Sequence, residues 1–161
     1  MNSGTEPERI SLQFAVERLH AQYAHALDSD KLEQWPEFFT EDGRYRIATA
    51  ENEERGLPLP VLYAEGRGMM RDRIQSLRHA NIYEPQRYRH MVSSVLVEKL
   101  DANHARSTAN FLVIRIMHDG DTVLFASGRY LDRIALPEMK YVERVVICDS
   151  RRFDTLLAIP L

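Results

Sequence analysis

Cysteine is nearly absent, with Cys148 alone in 161 residues. A lone cysteine excludes an intrachain disulfide, a structural zinc site built on paired thiolates and an iron–sulfur cluster held by one chain, since even a Rieske centre takes two cysteines and two histidines. Any such cofactor is expected on a partner. Long apolar runs are also missing: none approaches the roughly 18 residues of a membrane-spanning helix. The opening MNSGTEPERI has neither the basic nor the apolar region of a secretory signal. A cytoplasmic protein without a membrane segment is the expectation. No glycine-rich phosphate loop and no nucleophile elbow occurs, and Cys148 falls in an apolar strand pattern that predicts a buried, inert thiol. Lysine is scarce as well: Lys31, Lys99 and Lys140 are 3 of 21 basic residues, and the other 18 are arginine. A net charge of −3 argues against nucleic acid as a partner. The arginine surplus suits interface ion pairs and bidentate carboxylate recognition, although a GC-rich genome gives the same bias.

What is present organises itself around Tyr23 to Ile47. The only tryptophan, Trp35, and two of six phenylalanines, Phe38 and Phe39, fall within five residues there. The acidic turn Thr40-Glu41-Asp42-Gly43 then leads to a strand-like Arg44-Tyr45-Arg46-Ile47. Such a cluster either plugs the mouth of a sheet or lines a pocket. Upstream, Leu12, Val16, Leu19, Tyr23 and Leu27 recur at spacings of four and three, which predicts an amphipathic helix from Pro7 to Leu27 started by the capping box Thr5-x-x-Glu8. His20 and His25, five apart, point about 140° from each other and cannot jointly hold a metal; each is expected at the surface or rim. Asp30-x-x-Glu33 predicts the cap of a short helix ended by Trp35-Pro36.

Residues 51–62 lack a period and carry Pro58 and Pro60, which predicts a loop. Tyr63 to Gly66 is expected to be extended, and Gly68 to Ala80 to be a second helix burying Met70, Ile74 and Leu77. Six arginines from Arg67 to Arg89 face only Asp72 and Glu84, as a solvated face or as a patch for an acidic partner. From Tyr88 onward the pattern is strands, at 88–100, 105–118, 122–135 and 140–149, separated by short turns that require antiparallel neighbours. Gly128 suggests a bulge or bend. The sum is a single α+β domain over residues 1–161, with a long helix in the concave face of a strongly curved antiparallel sheet. The apolar ending Asp154 to Leu161 is expected to be covered by the sheet or by a neighbour.

A metal site would draw on His20, His25, His79, His90, His104 and His118, but no local spacing supports one. A helix-filled cone also supports proton-transfer chemistry, with Tyr23, Asp28, Tyr45, His90 and Asn110 as candidate liners. Alternatively His90 and Asn110 are buried polar groups satisfied by neighbours, and the tyrosines simply pack.

A series of short motifs runs through the chain: Asp28 with Trp35, Phe39 and Asp42-x-x-Tyr45; Asp72-Arg73; Arg89-His90 with Val92 and Ser93; Asn110-Phe111-x-Val113-x-Arg115; Gly128-x-Tyr130-x-Asp132; and Arg144 with Asp149. In their order and spacing, from about Gln13 to Leu161, the chain resembles the small (beta) subunits of aromatic-ring-hydroxylating dioxygenases, which have the cone-shaped fold of nuclear transport factor 2. The WPEFF segment, Asn81-Ile82-Tyr83-Glu84 and Leu157-Ala-Ile-Pro-Leu161 look like the branch serving terephthalate, salicylate, anthranilate or similar carboxylated aromatics. The resemblance implies a non-catalytic trimeric base in an α3β3 hexamer, with no catalytic, cofactor or metal residues on this chain. It places the Rieske [2Fe–2S] cluster and the mononuclear iron on a large subunit supplied with electrons by a reductase or ferredoxin. Trp35, Phe38 and Phe39 are then expected to fill the cone. The rivals are a free-standing cone-fold isomerase or dehydratase using Tyr23, Asp28 and His90, and a small-molecule binding module.

Overall fold

Glu8 accepts the Thr5 main-chain N–H at 2.7 Å and its hydroxyl at 3.0 Å, which starts the first helix, α1 (Glu6–Asp28), as the capping box predicts. The computed structural model describes residues 4–57, 59–79, 85–150, 152 and 159–161. The stripe Val16, Leu19, Tyr23 and Leu27 is buried, with Leu12 packed against it. A 3₁₀ helix over Leu32–Phe38 follows and contains Pro36, so the proline does not end it. Its N-cap is Lys31 rather than Asp30, which adopts φ 58° and serves an ion pair described below.

Six strands form one sheet: β1 (Phe39–Thr49), β2 (Leu62–Glu65), β3 (Gln86–Lys99), β4 (His104–Met117), β5 (Thr122–Ala135) and β6 (Lys140–Cys148), in the order β2-β1-β6-β5-β4-β3. The four predicted strands of the second half lie within a few residues of their expected bounds. The sheet is antiparallel except that β1 runs parallel to β6. Two more helices complete the order: α2 (Ala50–Glu54), where a loop is predicted, and α3 (Gly66–His79). The Thr49 hydroxyl accepts the Asn52 N–H at 3.2 Å and caps α2.

Curvature comes from interruptions of register. Thr40–Gly43, predicted as a turn, belongs to β1 as an irregularity between Phe39 and Arg44. Further slips occur between Ser93 and Leu96 on β3, at Phe125 on β5 and at Val142 on β6; each adds a residue on one strand and bends it. Gly128, by contrast, sits in unbroken register between Phe111 and Cys148. Glycine is needed there for space, because a Cβ would meet the Ile147 carbonyl oxygen at 1.9 Å.

The arginines of α3 are neither a free solvated face nor an open patch. Arg67 donates to the Phe39 carbonyl at 2.6 and 2.9 Å, Arg71 reaches Glu37 at 3.3 Å, and Arg78 reaches Asp30 at 2.9 Å and Glu33 at 2.8 Å. These bonds tie α3 to the 3₁₀ helix, while Met70, Ile74 and Leu77 face the core. Ile159 and Leu161 are buried in that core, so the chain itself covers this part of its apolar ending. Asn81–Glu84 and Phe153–Ala158, on which part of the resemblance rests, lie outside the described residues.

Trp35 is fully buried at the hub of the opening stretch, with ring centroids 5.1 Å from Tyr45 and 6.0 Å from Phe39. Phe38 is half-buried against Tyr23. The cluster fills the cone, as expected. Trp35→Ala should therefore lower unfolding free energy by about 3–5 kcal/mol, measured by urea denaturation; unchanged stability would show that the ring does not carry the packing.

Candidate functional site

Strand alternation puts Ser107, Tyr130, Asp132, Tyr141 and Arg144 on the concave side, and α1 lowers His20 onto them. Register sets Arg144 opposite Asp132, and the two form a buried bidentate pair at 2.8 and 2.9 Å. The guanidinium carbon also lies 3.9 Å from the Tyr130 ring centre, 4.1 Å from that of Tyr141 and 4.4 Å from that of Tyr23. Arg144 donates to His20 Nδ1 at 2.9 Å, so that nitrogen is an acceptor, and Nε2–H faces the Ser107 hydroxyl at 3.0 Å. The Tyr141 hydroxyl completes the group at 2.7 Å from Nδ1. The histidine expected at the surface is thus 1% exposed, while His25 is exposed as expected.

Burial, reinforced by Arg144, holds the His20 imidazole down to about 2, so the folded ring is neutral. Burial raises the Asp132 carboxyl, and Arg144 opposes it. Burial acts against the Arg144 charge too, but Asp132 together with Tyr141 and Tyr23 more than offsets it and holds the guanidinium well above its usual range, hence protonated. The two charges answer each other inside the fold, while Arg144 Nη1 has no hydrogen-bond partner among the described residues and lies among the aromatic rings.

Asp28 and His90 form a second pair. The Asp28 carboxylate accepts the His90 main-chain N–H at 3.0 and 3.1 Å and approaches ring Nδ1 at 2.6 Å. Nδ1 therefore carries the proton, and the buried Nε2 has no partner among the described residues. The pair has the orientation of a general base with its positioning carboxylate, yet the other predicted liners do not join it. The hydroxyls of Tyr23 and Tyr45 both donate to the Leu161 main-chain oxygen, at 2.9 and 3.0 Å, and Tyr23 also accepts Trp35 Nε1–H at 3.2 Å. Asn110, predicted inside, is exposed on the opposite face of the sheet.

Among the described residues, no group of three or more His, Cys, Asp or Glu side chains is placed to hold a metal ion, and no helix is long and apolar enough to cross a membrane. The Cys148 thiol is buried, which with Asp149 nearby pushes it up to about 12, far from a reactive thiolate. The convex face has a different character. Met91 pairs with Leu112 and Ile114 with Leu124, forming a stripe in which Met91 is 49% and Leu124 64% exposed, with Leu96 73% exposed beyond it.

A sheet bent around one long helix, its interior filled by aromatic rings and a paired ionic centre, defines a cone-shaped α+β protein of the nuclear transport factor 2 type. Within that class the chain belongs to the ring hydroxylating beta subunit family, whose model matches residues 22–157. It is 42% identical over 151 residues to the beta 1 subunit of the terminal oxygenase component of terephthalate 1,2-dioxygenase from Comamonas sp., covering 92% of this chain and 98% of that one. It is 37% identical over 156 residues to the anthranilate 1,2-dioxygenase small subunit of Burkholderia cepacia, covering 96% and 97%. The crystal structure of the beta subunit of a provisionally assigned aromatic-ring-hydroxylating dioxygenase from Novosphingobium aromaticivorans superposes with a TM-score of 0.85 at 33% identity, over 94% of this chain and 97% of that one.

The neutral His20 has a measurable consequence. Below about pH 6.5 the unfolded chain binds a proton there that the folded chain refuses down to about pH 2, so stability rises with pH across this window and is lost on acidification. The contribution is about 1.4 kcal/mol per pH unit. Denaturant titrations of His20→Gln between about pH 6 and pH 4 should lack this part of the slope; superimposable pH dependences would show that position 20 is not its source.

Proposed function

We propose that this chain is the non-catalytic small subunit of a cytoplasmic oxygenase whose large subunit hydroxylates a carboxylated aromatic compound. The observation that carries this is the filled cone: Trp35, Tyr23, Tyr45 and Leu161 occupy the interior where an enzyme of this fold would need space. Family membership supplies the partner, and the relatives named for terephthalate and anthranilate supply the substrate class, since both compounds are aromatic carboxylates. The Rieske cluster and the mononuclear iron belong to the large subunit in this reading, and electrons arrive from a reductase or ferredoxin. The single Cys148 supports that division, because one thiolate cannot hold such a cluster.

The small subunit forms a homotrimer beneath the large subunits, an arrangement supported by the exposed stripe of Met91, Leu96 and Leu124. Apolar area of this kind on a folded surface marks association. The isomerase or dehydratase alternative retains only the Asp28–His90 pair, whose free nitrogen is buried and whose proposed tyrosine partner is engaged elsewhere.

The test is to purify the chain alone and with its large subunit. Alone it should be a trimer by light scattering, contain no stoichiometric iron and turn over no aromatic acid; with the large subunit and an electron donor, turnover should appear. Iron or turnover in the isolated chain would overturn the proposal.

A further inference from the structure

The convex stripe has a counterpart at the other end of the sheet. Side chains of the convex face line up in rows across paired strands: Arg89, Ile114 and Leu124 form one row, Met91, Leu112 and Ser127 the next, and Ser93, Asn110 and Arg129 a third. These rows occupy β3, β4 and β5. Beyond β6 and β1 lies the opposite edge strand, β2, and the segment leading into it carries a second apolar patch. Leu57, Val61 and Tyr63 are exposed there, and Leu59 is 69% exposed. The segment is firmly held: the Leu57 N–H donates to the Asn52 carbonyl at 2.9 Å, the Asn52 side-chain amide to the Leu59 carbonyl at 3.3 Å, and the Val61 N–H to the Ile47 carbonyl at 2.7 Å. Its main chain is thus fixed to α2 and β1 while its apolar side chains face solvent. Ile10 and Phe14, also exposed, lie on the side of α1 turned away from the sheet and belong to neither patch.

The flanking charges of the two patches differ in sign. The rows of the stripe carry Arg89 and Arg129, neither of which has a carboxylate partner among the described residues. Asp149, which accepts the Ser127 hydroxyl at 3.0 Å, balances one of them and leaves a positive charge over. Asp119 and Asp121 of the β4–β5 turn lie beyond these rows, past Thr122 in the row of Arg87. Around the second patch Arg55 pairs with Glu51, Arg46 with Glu53 and Arg44 with Glu143. Glu54 and Glu65 remain without a cation, so this flank is negative.

We propose that the Leu57–Tyr63 segment of one small subunit packs on the Met91–Leu124 stripe of the next, with its acidic flank toward Arg89 and Arg129. Because the patches differ, the contact runs head to tail, and three such contacts close a ring when each turns the chain by a third of a circle. Pairing like with like would bring arginine to arginine, or carboxylate to carboxylate, and leave the other patch bare. The inference rests on the small-subunit reading with its homotrimer, and names the two surfaces that make the contact.

The test uses the full-length chain. Leu59→Glu and Leu124→Glu alter exposed side chains on separate patches. Each should raise the concentration at which the trimer dissociates by about tenfold or more, read by light scattering on a dilution series, with circular dichroism as the check on folding. Cysteine cross-linking reads the arrangement directly and decides if either glutamate variant fails to fold. Leu59→Cys and Leu124→Cys chains, co-produced under different tags, should be joined to each other by a short bis-maleimide, and neither should be joined to itself; the buried Cys148 thiol stays out of reach. A folded Leu59→Glu variant that trimerises like wild type, or cross-links between two Leu124→Cys chains, would overturn the inference. Those outcomes leave the small-subunit reading standing, because that reading is judged separately by iron content and turnover of the wild-type chain with and without its large subunit.

Discussion

The buried contact between Arg144 and Asp132 is the constraint on which the rest of the cone depends. Removing both charges from water costs several kcal/mol each, and only near-complete pairing offsets that. Pairing here needs four elements at once: β5 for Asp132 and Tyr130, β6 for Arg144 and Tyr141, β4 for Ser107, and α1 for His20 and Tyr23. A different depth of α1, or a one-residue slip of β6, would leave a bare charge in an aromatic interior. An apolar core would tolerate such slips more easily, so the polar centre fixes the register of helix on sheet. It also explains a neutral histidine beside an arginine, because the ring contributes a lone pair to the guanidinium rather than a second positive charge.

The mouth of the cone is governed by a different economy. Trp35 donates to Tyr23, Tyr23 and Tyr45 converge on Leu161, and the flanking acids Asp30, Glu33 and Glu37 hold the arginines of α3 outside. Buried hydroxyls are thereby satisfied from the core, and the charges stay in solvent where such pairs are weak. The same residues that give the opening stretch its aromatic density therefore occupy the interior of the cone, the space a substrate would need.

Much of this was legible in the sequence, and the exceptions have physical reasons. Strand bounds from Gln86 onward, the cap at Thr5 and the buried faces of α1 and α3 follow from local periodicity. Histidine chemistry points His20 to the surface, but its position four residues after Val16 and three before Tyr23 puts it inside the buried stripe. Asn110 was legible in the same way: Ala109, Phe111 and Val113 face inward, so the asparagine between them faces out. The helix Ala50–Glu54 has no apolar period to betray it, only the Thr49 cap. Neither the parallel pairing of β1 with β6 nor the partners of the α3 arginines could be found locally, because both join segments distant in the chain.

The placement of β1 beside β6 has a consequence for how the molecule is made. The hairpins β3–β4, β4–β5 and β5–β6 join neighbours in sequence and close cheaply, whereas β1 must wait for a strand that begins at Lys140. Until then Trp35 and Phe39 lack Tyr141 and Leu161 against which to pack. Contacts of such long sequence separation slow folding and leave apolar surface waiting. The first third of the chain can thus settle against β2 and α3 early, but its aromatic side stays uncovered until β6 and Leu161 reach it.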